Sequence, residues 1–202
     1  MTVVEAVRSA LDDSLGADRS VVLIGQLVKY GLGGLTVGLH AKYGSSRVQT
    51  FPVCENLMHA AALGLSLGGM RPVVVNERMD FLALAMDPLA NHIPVWRLRD
   101  RRLALPLVVV AVVGKGKGQG PQHSKNFAHW FRGFDGWKVS EPESPGQAYE
   151  QMVEALRGKS PVLYVLHREF FSATEPFHVP RPEHIGLCGA SKRHEREFYG
   201  DQ

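Results

Sequence analysis

The pattern of hydrophobic and polar positions alternates between helix-like and strand-like segments along the whole chain. Apolar residues recur at helical spacing from Val4 to Leu15, behind a capping-box pair formed by Thr2 and Glu5. Short, continuous apolar runs that end at glycine or polar residues indicate buried strands. Because helices and strands alternate throughout, we predict an α/β fold: a doubly wound, mainly parallel sheet with helices on both faces.

The predicted elements follow directly from this pattern. The predicted strands cover residues 20–25, 48–50, 72–76, 106–113, 137–139 and 162–167. The predicted helices cover residues 2–16, 35–43, 55–68, 81–97, 124–131 and 144–158. We expect residues 81–97 to form one buried helix that Pro94 kinks near its end. We also expect Ser124 to cap the helix that follows it.

The helix predicted after Glu55 is the most unusual element, because it consists almost entirely of small and apolar residues. It has no polar stripe, so we predict that it is buried on all sides. Glu55 in its first turn has two interpretations. It is either a charge that complements the helix dipole or an acid held in a dry place for chemistry.

Composition and charge exclude several classes of function. The formal net charge of +3 is too small to indicate nucleic-acid binding without a concentrated basic patch, and residues 97–102 fit a solvated helix end better. No apolar run reaches the roughly 20 residues that a membrane-spanning helix needs. Cys54 and Cys188 lie far apart without metal-ligand spacing, which favours a reducing cytoplasm over a disulfide framework.

The domain organisation follows from a change in composition. Residues 1–170 read as one domain, and residues 171–202 are rich in proline and then in mixed charges. We predict that this C-terminal tail is extended over the surface or disordered.

Few residues indicate a catalytic or binding role on their own. The Gly/Lys loop at 114–121 has neither the P-loop nor the dinucleotide pattern, so a mobile loop with solvated lysines is favoured over an anion cradle. His123 follows the carboxyl end of a predicted strand, where open α/β sheets place their ligands. The other histidines lack metal-ligand spacing, and we predict no metal site made by this chain. Cys54 fits a buried structural residue better than a nucleophile, because an apolar setting raises the pKa of a thiol.

A set of short motifs then occurs in one order along the chain: residues 51–55, 68–74, 80–81 with Asp87, 121–124 and 160–162. With these motifs the chain resembles the pyrimidine-binding domain of transketolase-like thiamine diphosphate enzymes over residues 2–170. It looks closest to the β-subunit of the decarboxylase component of 2-oxoacid dehydrogenase complexes.

The resemblance implies roles for individual residues. Glu55 matches the glutamate that hydrogen-bonds a ring nitrogen of the cofactor's aminopyrimidine and shares a proton with it, which activates the thiazolium carbon for attack on a carbonyl. Phe81 matches the aromatic residue that stacks on the pyrimidine, and Cys54 is included among the predicted cofactor contacts. His123 matches the histidine that faces substrate, as a proton donor or an oxyanion partner.

Departures from the family pattern predict a partner. Gln26 stands where relatives often carry an acidic residue, and Asn56-Leu57 stands where they usually carry a small residue. The Gly-Asp-Gly and distant Asn that bind magnesium in the family are not found in the sequence. The diphosphate half of thiamine diphosphate and its Mg²⁺ are therefore expected on a diphosphate-binding α-like subunit, in an α2β2 heterotetramer. The apolar surface of residues 55–68 is the predicted contact face.

The predicted function is cleavage of a 2-oxo acid or a ketose next to its carbonyl, with transfer of the acyl or two-carbon unit. A lipoyl or acyl carrier protein is a further expected partner. The resemblance also implies a C-terminal domain of about a hundred residues in relatives, and we expect none within residues 171–202. The alternative function is a non-catalytic scaffold or regulator, and the combination of Glu55, Phe81 and His123 argues against it.

Overall fold

Six parallel strands form one sheet in the computed structural model, which describes residues 1–100, 102–114 and 118–179. The strand order is β2-β1-β3-β4-β6-β5, and every neighbouring pair is parallel. The strands are β1 (Val21–Gly25), β2 (Val48–Thr50), β3 (Arg71–Asn76), β4 (Val108–Val113), β5 (Lys138–Ser140) and β6 (Val162–His167). The predicted doubly wound α/β fold is confirmed.

Helices cover both faces of this sheet. The α-helices are α1 (Val3–Ala17), α2 (Leu39–Tyr43), α3 (Glu55–Leu67), α4 (Ile93–Arg99), α5 (Ala128–Arg132) and α6 (Pro145–Arg157). Buried residues of α1 and α6 pack with one face of the central strands. Buried residues of α3, of the segment after β3 and of α5 pack with the other face. β1 and β4 are buried along their whole length, as their continuous apolar sequences predict.

Local sequence signals explain where two of the long helices begin. At α1 the Glu5 amide donates to Thr2 Oγ1 over 3.2 Å, and the Thr2 amide donates to Glu5 Oε2 over 2.8 Å. This is the predicted capping box. At α6 the hydroxyl of Ser144 accepts from the amide of Gln147, and Pro145 occupies the first helical position, where its missing N–H costs nothing.

The prediction of one buried helix over residues 81–97 is wrong. The chain instead forms a 3-10 segment over Met79–Ala85, a π-helical segment over Asp87–His92 and then α4. Pro88 and Pro94 explain the breaks, because each lacks a backbone N–H and sits near the start of its own segment. The change of helix type places successive side chains differently from a continuous α-helix.

The predicted cap at Ser124 is also wrong. The Ser124 hydroxyl donates to the carbonyl oxygen of Gly120 over 2.8 Å, so it closes the preceding turn instead. Helix α5 begins four residues later, and the Asn126 side-chain oxygen accepts from the amide of Ala128 over 2.8 Å. A local side-chain bond to the backbone competed successfully with helix capping at Ser124.

Helix α3 is not buried on all sides, which corrects a third prediction. Met58, Ala62 and Leu63 pack into the core. The opposite side is open to solvent and consists of Val53 before the helix and Leu57, Ala60, Gly64 and Leu67 on it. We call these five residues the open α3 face. Their spacing of four, three, four and three residues forms one stripe along the helix.

The first residues of the predicted tail pack on the domain. Thr174 forms an antiparallel bridge with Thr2, and the ring of Phe177 lies 5.6 Å from that of Tyr149 on α6. The rest of the tail, including Cys188 and the mixed-charge run, lies outside the described residues, as do Lys115 and Lys117 of the glycine-rich loop. A domain boundary at residue 170 stays a prediction. Within the described ranges, no helix combines the length and the apolar character required to cross a membrane.

Candidate active site

A crevice opens where the strand order reverses. The chain leaves β1 toward β2 on one side and returns to β3 on the other, so the carboxyl ends of β1 and β3 border a topological switch point. Ligands of open α/β sheets bind at such points. A cavity of about 40 Å³ lies here, and its lining consists of Gln26, Glu55, Asn76, Glu77, Arg78 and Phe81.

Glu55 is a buried acid in the wall of this cavity. It is the first residue of α3 and only 6% exposed. The side-chain amide of Gln26, directly after β1, donates to Glu55 Oε1 over 2.9 Å. Gln26 therefore holds one carboxylate oxygen of Glu55 at the cavity wall, which gives a structural role to a residue that the sequence marks only as a departure.

His59 is a buried residue of α3 that contacts the first residue of the helix. Its side chain is fully buried, and its Nδ1 lies 2.7 Å from the carbonyl oxygen of Glu55. A carbonyl only accepts, so the proton belongs on Nδ1, and Nε2 can accept from the amide of Asn76 at 3.4 Å. Burial lowers the pKa of His59 to about 4. The imidazole is therefore neutral at physiological pH.

Asn76 presents an unpaired acceptor. Its Nδ2 donates to the carbonyl oxygen of Val110 over 3.1 Å, which fixes the amide orientation because the flipped amide would bring two oxygens together. Its Oδ1 is buried and has no hydrogen-bond partner among the described residues. A buried acceptor in a cavity wall favours a ligand that presents an N–H donor.

Two charged residues follow Asn76 in the same wall. Burial raises the pKa of the Glu77 carboxyl, against the opposing effect of the guanidinium groups of Arg78 and Arg168. Arg78 Nη1 donates to the carbonyl oxygen of Glu77 over 2.6 Å. Sequence reasoning missed Asn76, Glu77 and Arg78. Their signal is the run of three polar residues directly after a buried strand, at the edge where ligands bind.

Phe81 and His123 meet beside the cavity. The Phe81 ring is 37% exposed, and its centroid lies 5.6 Å from that of His123 in an edge-on contact. His123 ends a 3-10 turn after the β4 loop, Pro121–His123. Its carbonyl oxygen would lie only 2.3 Å from a Cβ at Gly114, so the turn can approach the end of β4 only because residue 114 is glycine.

Cys54 lies apart from the cavity lining. It is exposed in the turn before α3, so its interpretation as a buried structural cysteine is wrong. The adjacent Pro52 and Val53 are also exposed, because this turn projects from the open side of α3 rather than into the core. The structure thus brings Glu55, Phe81 and His123 into one region and leaves Cys54 at the surface.

The cavity gives this region a limited size and a defined chemistry. It offers a carboxyl group, an amide acceptor, an aromatic side chain and, next to that ring, an imidazole. A volume of about 40 Å³ has room for only about three water molecules. A ligand with a complete ring would therefore extend beyond this cavity through the open side of the crevice.

Fold and site together define a parallel α/β ligand-binding domain with its polar site at a switch point. A sequence model of the family described as "Transketolase, pyrimidine binding domain" matches residues 1–172, and the chain belongs to this family. The resemblance drawn from the short motifs is therefore confirmed.

Curated relatives agree with this assignment. The pyruvate dehydrogenase E1 component subunit beta of Porphyra purpurea is 30% identical over 90% of this chain and 55% of its own length. The 2-oxoisovalerate dehydrogenase subunit beta of Pseudomonas aeruginosa is 31% identical over 90% of this chain and 53% of its own length. The chain thus spans about half the length of the curated relatives it matches.

A solved structure shares the fold. A split gene transketolase in an inactive β4 tetramer superimposes with a TM-score of 0.69 at 20% identity, covering 88% of this chain and 55% of that one. At this identity the likeness supports the fold and says nothing about the reaction.

Proposed function

We propose that this chain is the pyrimidine-binding subunit of a two-component thiamine diphosphate-dependent enzyme. The enzyme would cleave a 2-oxo acid or a ketose next to its carbonyl and transfer the resulting acyl or two-carbon unit. The observation that carries the proposal is the buried Glu55, which lines the switch-point cavity together with Asn76 and Phe81. The family membership and the dehydrogenase β-subunit relatives support it.

The residues present fit an aminopyrimidine. Such a ring is flat, carries an exocyclic amino donor and has ring nitrogens that exchange protons with a carboxyl group. The buried Oδ1 of Asn76 is an acceptor without a partner in the described part of the chain, and Glu55 supplies the carboxyl group. Phe81 supplies an exposed aromatic surface next to them. We assign these three residues to holding the ring.

Thiamine diphosphate, when bound, supplies the electron sink that makes cleavage next to a carbonyl possible. Glu55 would hold a proton against a ring nitrogen, with its carboxyl group oriented by Gln26. His123 would accept or donate a proton on the substrate side, beyond Phe81. Cys54 is exposed, so the cofactor contact that we propose for it requires a second subunit to cover this surface.

The proposed partner is a diphosphate-binding α-like subunit, which would carry the Mg²⁺ site and complete an α2β2 heterotetramer. Two features support it. The cavity is too small for the whole ring, and the open α3 face begins next to Glu55. Ala60 and Gly64 on that face would let another backbone approach closely. A cytoplasmic location and a lipoyl or acyl carrier protein as acceptor belong to the same proposal.

Reconstitution tests the proposal directly. The chain would be mixed with a candidate diphosphate-binding subunit from the same organism, and turnover of a panel of 2-oxo acids and ketoses would be measured with and without thiamine diphosphate and Mg²⁺. We expect turnover that needs both chains and the cofactor. Glu55→Gln should reduce kcat at least about a hundredfold, and Glu150→Gln, at an exposed position of α6, should not.

Two results would contradict the proposal. Unchanged turnover in Glu55→Gln would remove the role assigned to Glu55. Formation of the complex without any cofactor-dependent turnover would instead favour the non-catalytic scaffold.

A further inference from the structure

Two buried polar atoms beside the candidate site lack a hydrogen-bond partner within the described ranges. They are Oδ2 of Asp80 and Nδ1 of His123. The first belongs to a carboxylate, which only accepts, and the second to an imidazole, which can carry a proton there. Burying either atom unpaired is unfavourable, and each supplies what the other needs.

Contacts of their neighbours bring together the two segments that carry these residues. Asp80 directly precedes Phe81, whose ring contacts that of His123. The other carboxylate oxygen of Asp80, Oδ1, accepts from the amide of Lys125 over 3.2 Å, two residues after His123. On the far side, the carbonyl of His123 lies against Gly114. Asp80 thus fastens the turn that carries His123 and keeps its own second oxygen buried.

We propose that Asp80 is a positioning residue for His123. Its Oδ2 accepts a hydrogen bond from a bridging water whose oxygen accepts the Nδ1–H of His123, and the carboxylate so selects the tautomer in which Nε2 carries the lone pair. A neutral imidazole has a single proton, and the partner of one ring nitrogen decides which nitrogen carries it. The part of this inference that concerns catalysis rests on the proposed function, whereas the tautomer does not.

The tautomer can be measured on the full chain alone, without cofactor. Histidine labelled with ¹⁵N would be observed by NMR at about pH 8, where an ordinary imidazole is neutral. We expect the Nδ1–H form of His123 to predominate. In Asp80→Asn, the amide oxygen can still accept from Lys125 while its NH2 group donates to the bridging water. That water then donates to Nδ1, which should shift the proton to Nε2. Asp87 is an exposed carboxylate six residues after Phe81, so Asp87→Asn is the matched control and should leave the tautomer of His123 unchanged.

A predominant Nε2–H form in the unsubstituted chain would overturn the inference, and so would an unchanged tautomer ratio in Asp80→Asn. Because the unsubstituted spectrum decides alone, the test remains valid if the variant fails to fold.

The reconstituted enzyme supplies a second readout. Asp80→Asn should lower kcat about tenfold or more, because the histidine is in the wrong tautomer, and should leave the cofactor dissociation constant unchanged. Equal kcat values for the two proteins would overturn the positioning role. If no cofactor-dependent turnover occurs with any variant, the proposed function fails, while the NMR result still decides the tautomer.

Discussion

Burial in α3 keeps the imidazole of His59 neutral, and this makes the stability of the fold depend on pH. Its pKa of about 4 in the folded chain lies below the ordinary value of 6.5. Between these two values the unfolded chain binds more protons than the folded chain, so the free energy of unfolding falls as the pH drops from 6.5 toward 4. The stabilisation is fully present above pH 6.5.

We predict that this residue accounts for on the order of 3 kcal/mol of the loss of stability across that window. Urea unfolding of the chain between pH 7 and pH 4 measures it. In His59→Gln the pH dependence should become shallower by that amount. His129→Gln removes an exposed histidine and should keep the original slope. Identical slopes for His59→Gln and the unsubstituted chain would show that His59 is not held neutral.

Asn76 offers a second test at the scale of one residue. Its Nδ2 donates to the carbonyl oxygen of Val110, so Asn76→Asp would bury a carboxylate against an acceptor. We expect a loss of roughly 3 kcal/mol in the free energy of unfolding at pH 7. Asn126→Asp is the matched control, because its exposed side-chain oxygen already accepts from Ala128 and a carboxylate does so equally well. Equal losses in both variants would contradict the geometry of Asn76.

At the scale of elements, the open α3 face connects the fold to the proposed partner. Gly64 lies in the middle of α3, and a Cβ built there meets nothing within 4 Å. Glycine destabilises a helix interior by about 0.5–1 kcal/mol relative to alanine. This position therefore has a cost in the isolated chain that close packing against a partner would explain.

Two substitutions at Gly64 should consequently have opposite effects, alanine on the stability of the chain and leucine on assembly of the complex. The melting temperature of the isolated chain should rise by about 2 °C, whereas Gly64→Leu should weaken assembly with the partner at least about tenfold, because the added bulk separates the surfaces. Calorimetry and sedimentation analysis measure the two effects. Glu150→Leu places an exposed leucine on α6 instead and should leave assembly unchanged. Unaltered assembly of Gly64→Leu would exclude the α3 face as the contact.

The same elements show which structural features local sequence patterns predict and which they do not. β6 is observed at residues 162–167 as predicted, because its continuous apolar run has no alternative to burial on both faces. The helix expected over 81–97 is broken, because two prolines set segment boundaries that hydrophobic spacing alone does not reveal. The sequence did not reveal that one side of α3 is exposed. An apolar stripe has the same sequence pattern whether it packs on the core of its own chain or on another molecule.

At the scale of the whole molecule, the sequence predicted the fold and the family better than the site. Alternating buried strands and helices limit the topology strongly, and the order of short motifs identified the family that the profile match confirms. Those motifs also led to the prediction of Glu55, Phe81 and His123 as site residues, and the structure brings the three into one region. Gln26 as a partner of Glu55, and Asn76 with its unpaired oxygen, depend on contacts between elements that are distant in sequence.

The central claim is that Glu55 holds the pyrimidine end of thiamine diphosphate while a second chain holds the other end. Calorimetric titration of thiamine diphosphate with Mg²⁺ into the assembled pair tests this most directly. We predict saturable binding to the pair, none to either chain alone, and an affinity at least about tenfold lower with Glu55→Gln, a difference of about 1.4 kcal/mol. Equal affinity for the Glu55→Gln pair, or no binding to the unsubstituted pair, would contradict the claim.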